Sequence, residues 1–240
     1  MRAVAMGIGA CAAWAPGRES WQGWCAWAGI EMREPAQTPT PPPVTLRRRV
    51  SPLGQQALKA AWGMPSLIDS CFVFASRHGE FDRTTALLRS VIAGEEASPA
   101  DFSLSVHNAL SGLLSIAARN RHGHTTIAAG RESFCYGLLE AAAKVTDTPD
   151  VPAILVFFDA PLSAPFDELF VEPADEPEAL AVVLSIGPPG SGRWQVELSM
   201  SPAGESMRGS PALDFLAFLL PGTGSARSVG ERHTWHWRHA

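Results

Sequence analysis

The sequence predicts an α/β fold, a mixed and mostly parallel central sheet flanked by helices, and three observations carry that prediction. Continuous apolar runs of strand length recur at 70–75, 151–158 and 179–186, the pattern of strands buried on both faces. Runs of helical periodicity alternate with them, and a repeated order of strand then helix implies right-handed crossovers between parallel neighbours. Finally, 240 residues at 46% hydrophobic content suffice for one large core and exclude a mostly disordered chain. A single domain over 1–240 is expected, interrupted by a proline-rich loop at 37–43.

At the N-terminus, Arg2 precedes the small and apolar run 3–13, which reads either as a short signal peptide or as an opening core strand. The glycines dilute the run and favour the strand. Trp14, Trp21, Trp24 and Trp27 come next, and the last three repeat every third residue along one helical stripe. So dense an aromatic stripe leans toward a partner surface. Prolines 39 and 41–43 forbid regular helix or central strand, so 37–43 is an extended loop. A helix over 51–62 has Ser51 as its cap, Pro52 in its first position, and Leu53, Ala57, Leu58 and Ala61 on one side. After the strand 70–75, a helix over 81–93 runs through Ala86, Leu87, Val91 and Ile92. Ser98-Pro99-Ala100-Asp101 caps another short helix, and 106–116 carries Val106, Leu110, Leu113, Leu114 and Ile116 at helical spacing. The β-branched run 123–129 is a strand, Gly130 a turn, and Phe134, Leu138, Leu139, Ala142 and Val145 mark a buried helix. Beyond the strands 151–158 and 179–186, residues 193–200 alternate well enough for an edge strand, and Pro211 leads into a helix at 212–220 that is apolar nearly all round. The tail 233–239 is a terminal strand with Trp235 and Trp237 on one face.

Charge and spacing exclude several functions. A net charge of −5 leaves no basic footprint for nucleic acid, and Arg47-Arg48-Arg49 before Ser51-Pro52 reads as a solvated face. Cysteines 11, 25, 71 and 135 stand far apart with no zinc-type spacing, which fits a reducing cytoplasm better than a disulfide framework. His233, His236 and His239 recur every third residue, so a strand sends them to alternate faces and they cannot converge on one metal. No metal and no cofactor is expected. No window approaches the ~20 continuous apolar residues of a membrane span.

The chemistry concentrates in the block 98–139, SPADFSLSVHNALSGLLSIAARNRHGHTTIAAGRESFCYGLL. Strand, tight turn and buried helix succeed one another there, an elbow that presents a side chain at a helix N-terminus. Free N–H groups and the helix dipole stabilise negative charge at such a place, and nucleophiles are commonly housed there. Here the turn carries bulky Phe134, flanked by Ser133 and Cys135. One step past the elbow position, Cys135 is rotated by about 100° on a helix, off the dipole axis. Ser133 has no base near it in sequence and no G-x-S-x-G pattern around it. Upstream, the polar pair His107-Asn108 needs partners in an otherwise apolar helix, and a structural histidine is the simpler reading of His107.

This block, with Phe74-Ala-Ser-Arg-His-Gly79 and Ile154-Leu-Val-Phe-Phe-Asp159, resembles the N-terminal half of β-ketoacyl synthases of the thiolase fold, and more narrowly the short synthase-like chain length factors of aryl polyene pigment clusters. Residues before about Arg47 match poorly. In the synthases a Cys-Ala-Ser/Thr-Gly turn carries the nucleophile; anchoring that motif on Gly137 places the nucleophile position on Phe134, whose ring cannot attack a thioester. The resemblance also implies a further half with two histidines that act on the malonyl thioester, and this chain is expected to end short of it. By resemblance, then, the chain is expected to be a non-catalytic subunit that pairs with a full-length β-ketoacyl synthase. It would meet acyl carrier protein through that complex and shape the partner's acyl tunnel during polyene elongation. The resemblance further implies that sheets join edge to edge in the dimer, with residues 125–129 and the Phe134 region at the seam, and that His107, Asn108, Ser133, Phe134, Cys135 and Gly137 border the tunnel or interface. The alternative is a stand-alone acyltransferase or hydrolase using Cys135 or Ser133.

Overall fold

The computed structural model describes residues 3–31, 41–169, 179–204 and 209–240. Among the described residues eight strands form one sheet: β1 (Val4–Trp14), β2 (Cys71–Ala75), β3 (His124–Ile127), β4 (Ala153–Asp159), β5 (Leu180–Gly187), β6 (Trp194–Pro202), β7 (Ser225–Val229) and β8 (His233–His239), in the order β3-β2-β4-β5-β1-β6-β8-β7. The helices are α1 (Trp21–Trp27), α2 (Val44–Arg47), α3 (Pro52–Trp62), α4 (Phe81–Ile92), α5 (Pro99–Ser105), α6 (Ala109–Ala118), α7 (Ser133–Asp147) and α8 (Pro211–Leu219).

The mixed α/β architecture is as expected, but the balance of strand directions is not. Only β2 with β3 and β2 with β4 are parallel, and the other five pairings are antiparallel. Helices connect these three parallel strands, α4 to α6 between β2 and β3 and α7 between β3 and β4, with β2 seated between the other two in the sheet. β1 then inserts between β5 and β6, antiparallel to both. Strand direction is invisible to hydropathy, because a doubly buried strand reads the same in either sense.

Alternation along the strands sorts the core into two layers. Val73 and Ala75, Leu155 and Phe157, and Val182 and Leu184 face α7 and α8, while Phe72 and Phe74, Ile154 and Val156, and Ala181 and Val183 face α3 and α6. Residues 193–200, expected at an edge, belong to interior β6, held by β1 and β8. Their alternation reports a sheet covered on one face: Trp194, Val196 and Leu198 are buried, Glu197 and Ser199 only partly. The true edges are β3 and the short polar β7.

Several caps match their residues. Ser51 Oγ accepts from the Gly54 N–H at 3.0 Å and Ser98 Oγ from the Asp101 N–H at 3.3 Å. The opening run is strand β1. Of the tryptophan stripe, Trp24 is fully buried, packed edge to face on Trp27 at 5.4 Å beneath Arg18, and Trp21 packs against the same core. Trp235 and Trp237 are likewise buried. Trp24, Trp235 and Trp237 are therefore core rather than partner surface, Trp237 packing on Phe215 and Phe218 of α8, while Trp27 is 37% exposed. Of the loop 37–43, residues 37–40 lie outside the described residues.

Candidate functional site

The elbow forms where β3 runs into α7. Gly130 takes φ +61°, a left-handed conformation natural to glycine, and the turn closes through Ser133 N–H to Gly130 O at 3.1 Å. The Ser133 hydroxyl is consumed by this turn, donating to Gly130 O at 2.6 Å and accepting from the Ala129 N–H at 2.9 Å. It is buried and has a structural task. Phe134 is next, 1% exposed, its ring edge-on to Phe157 at 5.5 Å and tilted on Phe215 at 5.3 Å. One ring thus ties the first turn of α7 to the end of β4 and to α8.

Cys135 is fully buried in the same layer. Burial pushes its thiol well above the usual range, reinforced by the charges of Glu132 and Asp214. Burial also raises Cys11, to about 12, and Cys25 and Cys71. At all four positions burial disfavours the reactive thiolate. Gly137 fits a close approach: a Cβ there would stand 2.7 Å from Ala75 Cβ and 2.9 Å from Leu155 Cδ1. Its lack of a side chain lets α7 lie directly on β2 and β4.

His107 and Asn108 belong to a neighbouring cluster. The His107 ring lies over Gly79, where a Cβ would come within 2.6 Å of Nδ1, and its buried Nε2 has no hydrogen-bond partner among the described residues. Asn108 is exposed and contributes its carbonyl, which accepts from the Ser111 hydroxyl at 2.8 Å. Ser111 Oγ in turn lies 3.2 Å from Thr126 Oγ1, joining α6 to β3. Of the expected set, Ser133, Phe134, Cys135 and Gly137 share α7, whereas His107 and Asn108 stand before α6.

Two residues that spacing does not single out organise the site. Glu132, fully buried, accepts from the N–H groups of Arg232 and His233 at 3.0 and 3.1 Å and from Trp235 Nε1 at 2.8 Å. It fastens the elbow to the start of β8, about a hundred residues downstream. Asp159, at the end of β4, accepts from the N–H groups of Arg77 and His78 at 3.3 and 3.2 Å and from the Ser76 hydroxyl at 3.3 Å. Burial raises its carboxyl to about 6, an effect opposed by the Arg77 charge and these hydrogen bonds. The segments Phe74–Gly79 and Ile154–Asp159 therefore meet at one carboxylate. Arg77, Arg131, Phe134, Phe157 and Asp159 border a cleft of about 30 Å³, space for one water-sized group. Apolar rings fill the ground in front of α7, so the elbow presents packing and a charged rim, with the Ser133 hydroxyl tied into the turn and the Cys135 thiol buried.

A family model described as "Beta-ketoacyl synthase, N-terminal domain" matches residues 21–238. Among solved structures, the chain superposes with a TM-score of 0.81 and 26% identity on a chain of the ketosynthase (ApeO) in complex with its chain length factor (ApeC) from Xenorhabdus doucetiae, covering 97% of this chain and 98% of that one. The ishigamide ketosynthase/chain length factor is similar in fold at TM-score 0.60 and 14% identity, over 84% of this chain and 68% of that one. A β-ketoacyl synthase from Burkholderia phymatum STM815 gives 0.56 and 14%, over 86% of this chain and 65% of that one. No curated protein sequence matches. With its thiolase-like fold and a family match over most of its length, the chain belongs to the β-ketoacyl synthase N-terminal-domain family.

Proposed function

We propose that the chain is a non-catalytic chain length factor that heterodimerises with a full-length β-ketoacyl synthase in the cytoplasm and shapes that enzyme's acyl tunnel during aryl polyene-type elongation on acyl carrier protein. The observation that carries this reading is Phe134: at the turn where the family's motif places a nucleophile stands a buried ring packed on Phe157 and Phe215. Similarity over nearly the whole length to a chain of a ketosynthase and chain length factor complex supports it. The partner's cysteine performs the condensation, and this chain needs no metal or cofactor. Among the described residues β3 pairs with β2 alone, an edge that supports sheet extension across a subunit seam. Because Phe134 lies inside its own chain, it acts on that seam through the elbow it props rather than by touching the partner.

The test is Phe134→Leu and Phe134→Ala in the reconstituted complex, with polyene length read by mass spectrometry. The expected result is altered product length or a weaker complex with condensation retained. Loss of all condensation while the variant stays bound contradicts the role.

A further inference from the structure

The cleft between the elbow and the start of α8 gathers charge of one predominant sign. The chain as a whole carries −5, yet the charged groups bordering this cleft are the guanidiniums of Arg77 and Arg131 against the single carboxyl of Asp159. That carboxyl already takes hydrogen bonds from the Ser76 hydroxyl and from the N–H groups of Arg77 and His78. A guanidinium carries five N–H donors in a planar fork and serves several acceptors at once. Arg131 Nη2 reaches Gly209 O at 3.3 Å, next to Ser210.

The start of α8 adds donors, since Ser210, Pro211 and Ala212 also line the cleft. In this first turn the Asp214 N–H bonds to Ser210 O at 2.9 Å, and the N–H groups of Ala212 and Leu213 before it have no acceptor within the helix. Asp214 is the opposing charge on α8, and its carboxylate accepts from the Ser228 hydroxyl. Ser210 is 6% exposed, and its hydroxyl makes no hydrogen bond among the described residues. Buried polar groups normally have a partner.

We infer that this cleft binds one compact monoanion of chloride size, held by Arg77, Arg131, the Ser210 hydroxyl and the first N–H groups of α8. Space and donor balance select that class. About 30 Å³ admits a single water-sized group, which excludes phosphate, sulfate and larger acids as whole ligands. A water of the same size brings two hydrogens that need acceptors, whereas the lining offers mainly donors; a monoanion brings none. The dipole of α8 adds favourable potential at this end. The ion joins the loop after β2, the elbow and α8, and the site does not depend on the heterodimer reading.

The experiment has two arms, both on the full chain. Thermal midpoints are measured against rising sodium chloride, with sodium gluconate, whose anion is too large for the cleft, holding ionic strength constant. Crystals grown in bromide in place of chloride are examined by anomalous diffraction. The variants are Arg131→Gln, Ser210→Ala and, as a control, Arg238→Gln at an exposed position of β8, each checked for folding by circular dichroism. Wild type and Arg238→Gln should show a saturable rise in midpoint and, in wild type, a bromide peak between Arg131 and Ser210. Apparent chloride affinity should fall roughly tenfold in Arg131→Gln and roughly threefold in Ser210→Ala. If Arg131→Gln does not fold, Ser210→Ala and the bromide peak decide. A midpoint indifferent to chloride, an equal response in all variants, or bromide found only elsewhere overturns the site. So does a peak in the cleft without any solution response, which marks an adventitious ion only.

Discussion

Phe134 holds three elements through one ring, and truncating it removes contacts to Phe157 and Phe215 at once. Phe134→Ala should therefore lower stability by about 3–5 kcal/mol, read from urea midpoints; a change near zero contradicts the packing role. Cys135 offers a second check. Native protein should resist a cysteine-directed alkylating agent at this position and react only when unfolded, because the thiol is inaccessible and protonated. Stoichiometric labelling of folded protein at Cys135 favours the stand-alone enzyme. Asp159 makes stability depend on pH. Its carboxyl rises from 3.8 to about 6 in the folded chain, so the folded state binds the proton more tightly. The stabilisation is full below pH ~4 and is lost as pH rises through ~6, an amount approaching ~3 kcal/mol. Relative to Asp159→Asn, wild type should lose stability between pH 4 and 7; a constant difference over that range contradicts the assignment.

At the scale of elements, the elbow depends on two fittings that a sequence shows unequally. Gly137 stands out in the motif, and its close approach to Ala75 and Leu155 gives a physical reason. Gly137→Ala should destabilise by ~1–3 kcal/mol despite its better helix propensity, because α7 must lift from the sheet; a stabilised variant contradicts that close packing. Glu132 shows nothing in the sequence, since its partners Arg232, His233 and Trp235 lie a hundred residues away and two of them donate through the backbone. The same division runs through the fold. Helices α3, α5 and α7 and strands β2, β4 and β5 are legible because burial and caps are written in local periodicity. The antiparallel insertion of β1, the interior place of β6 and the polar edge strand β7 are not, because pairing partners and direction are set by tertiary packing.

For the whole molecule, the chain has the sheet and helix layers of its family's N-terminal domain, with the aromatic packing of Phe134 at the elbow between β3 and α7. Its surface is anisotropic: an open strand edge and six exposed apolar side chains lie along α4 to α6 and β3. The proposed role as a non-catalytic subunit draws on the filled elbow. The most direct test is intact-mass analysis of the complex copurified with a full-length β-ketoacyl synthase after loading with acyl thioester. A non-catalytic subunit gives an acyl adduct on the synthase and none on this chain; a stoichiometric adduct on this chain, at Cys135 or Ser133, contradicts that role.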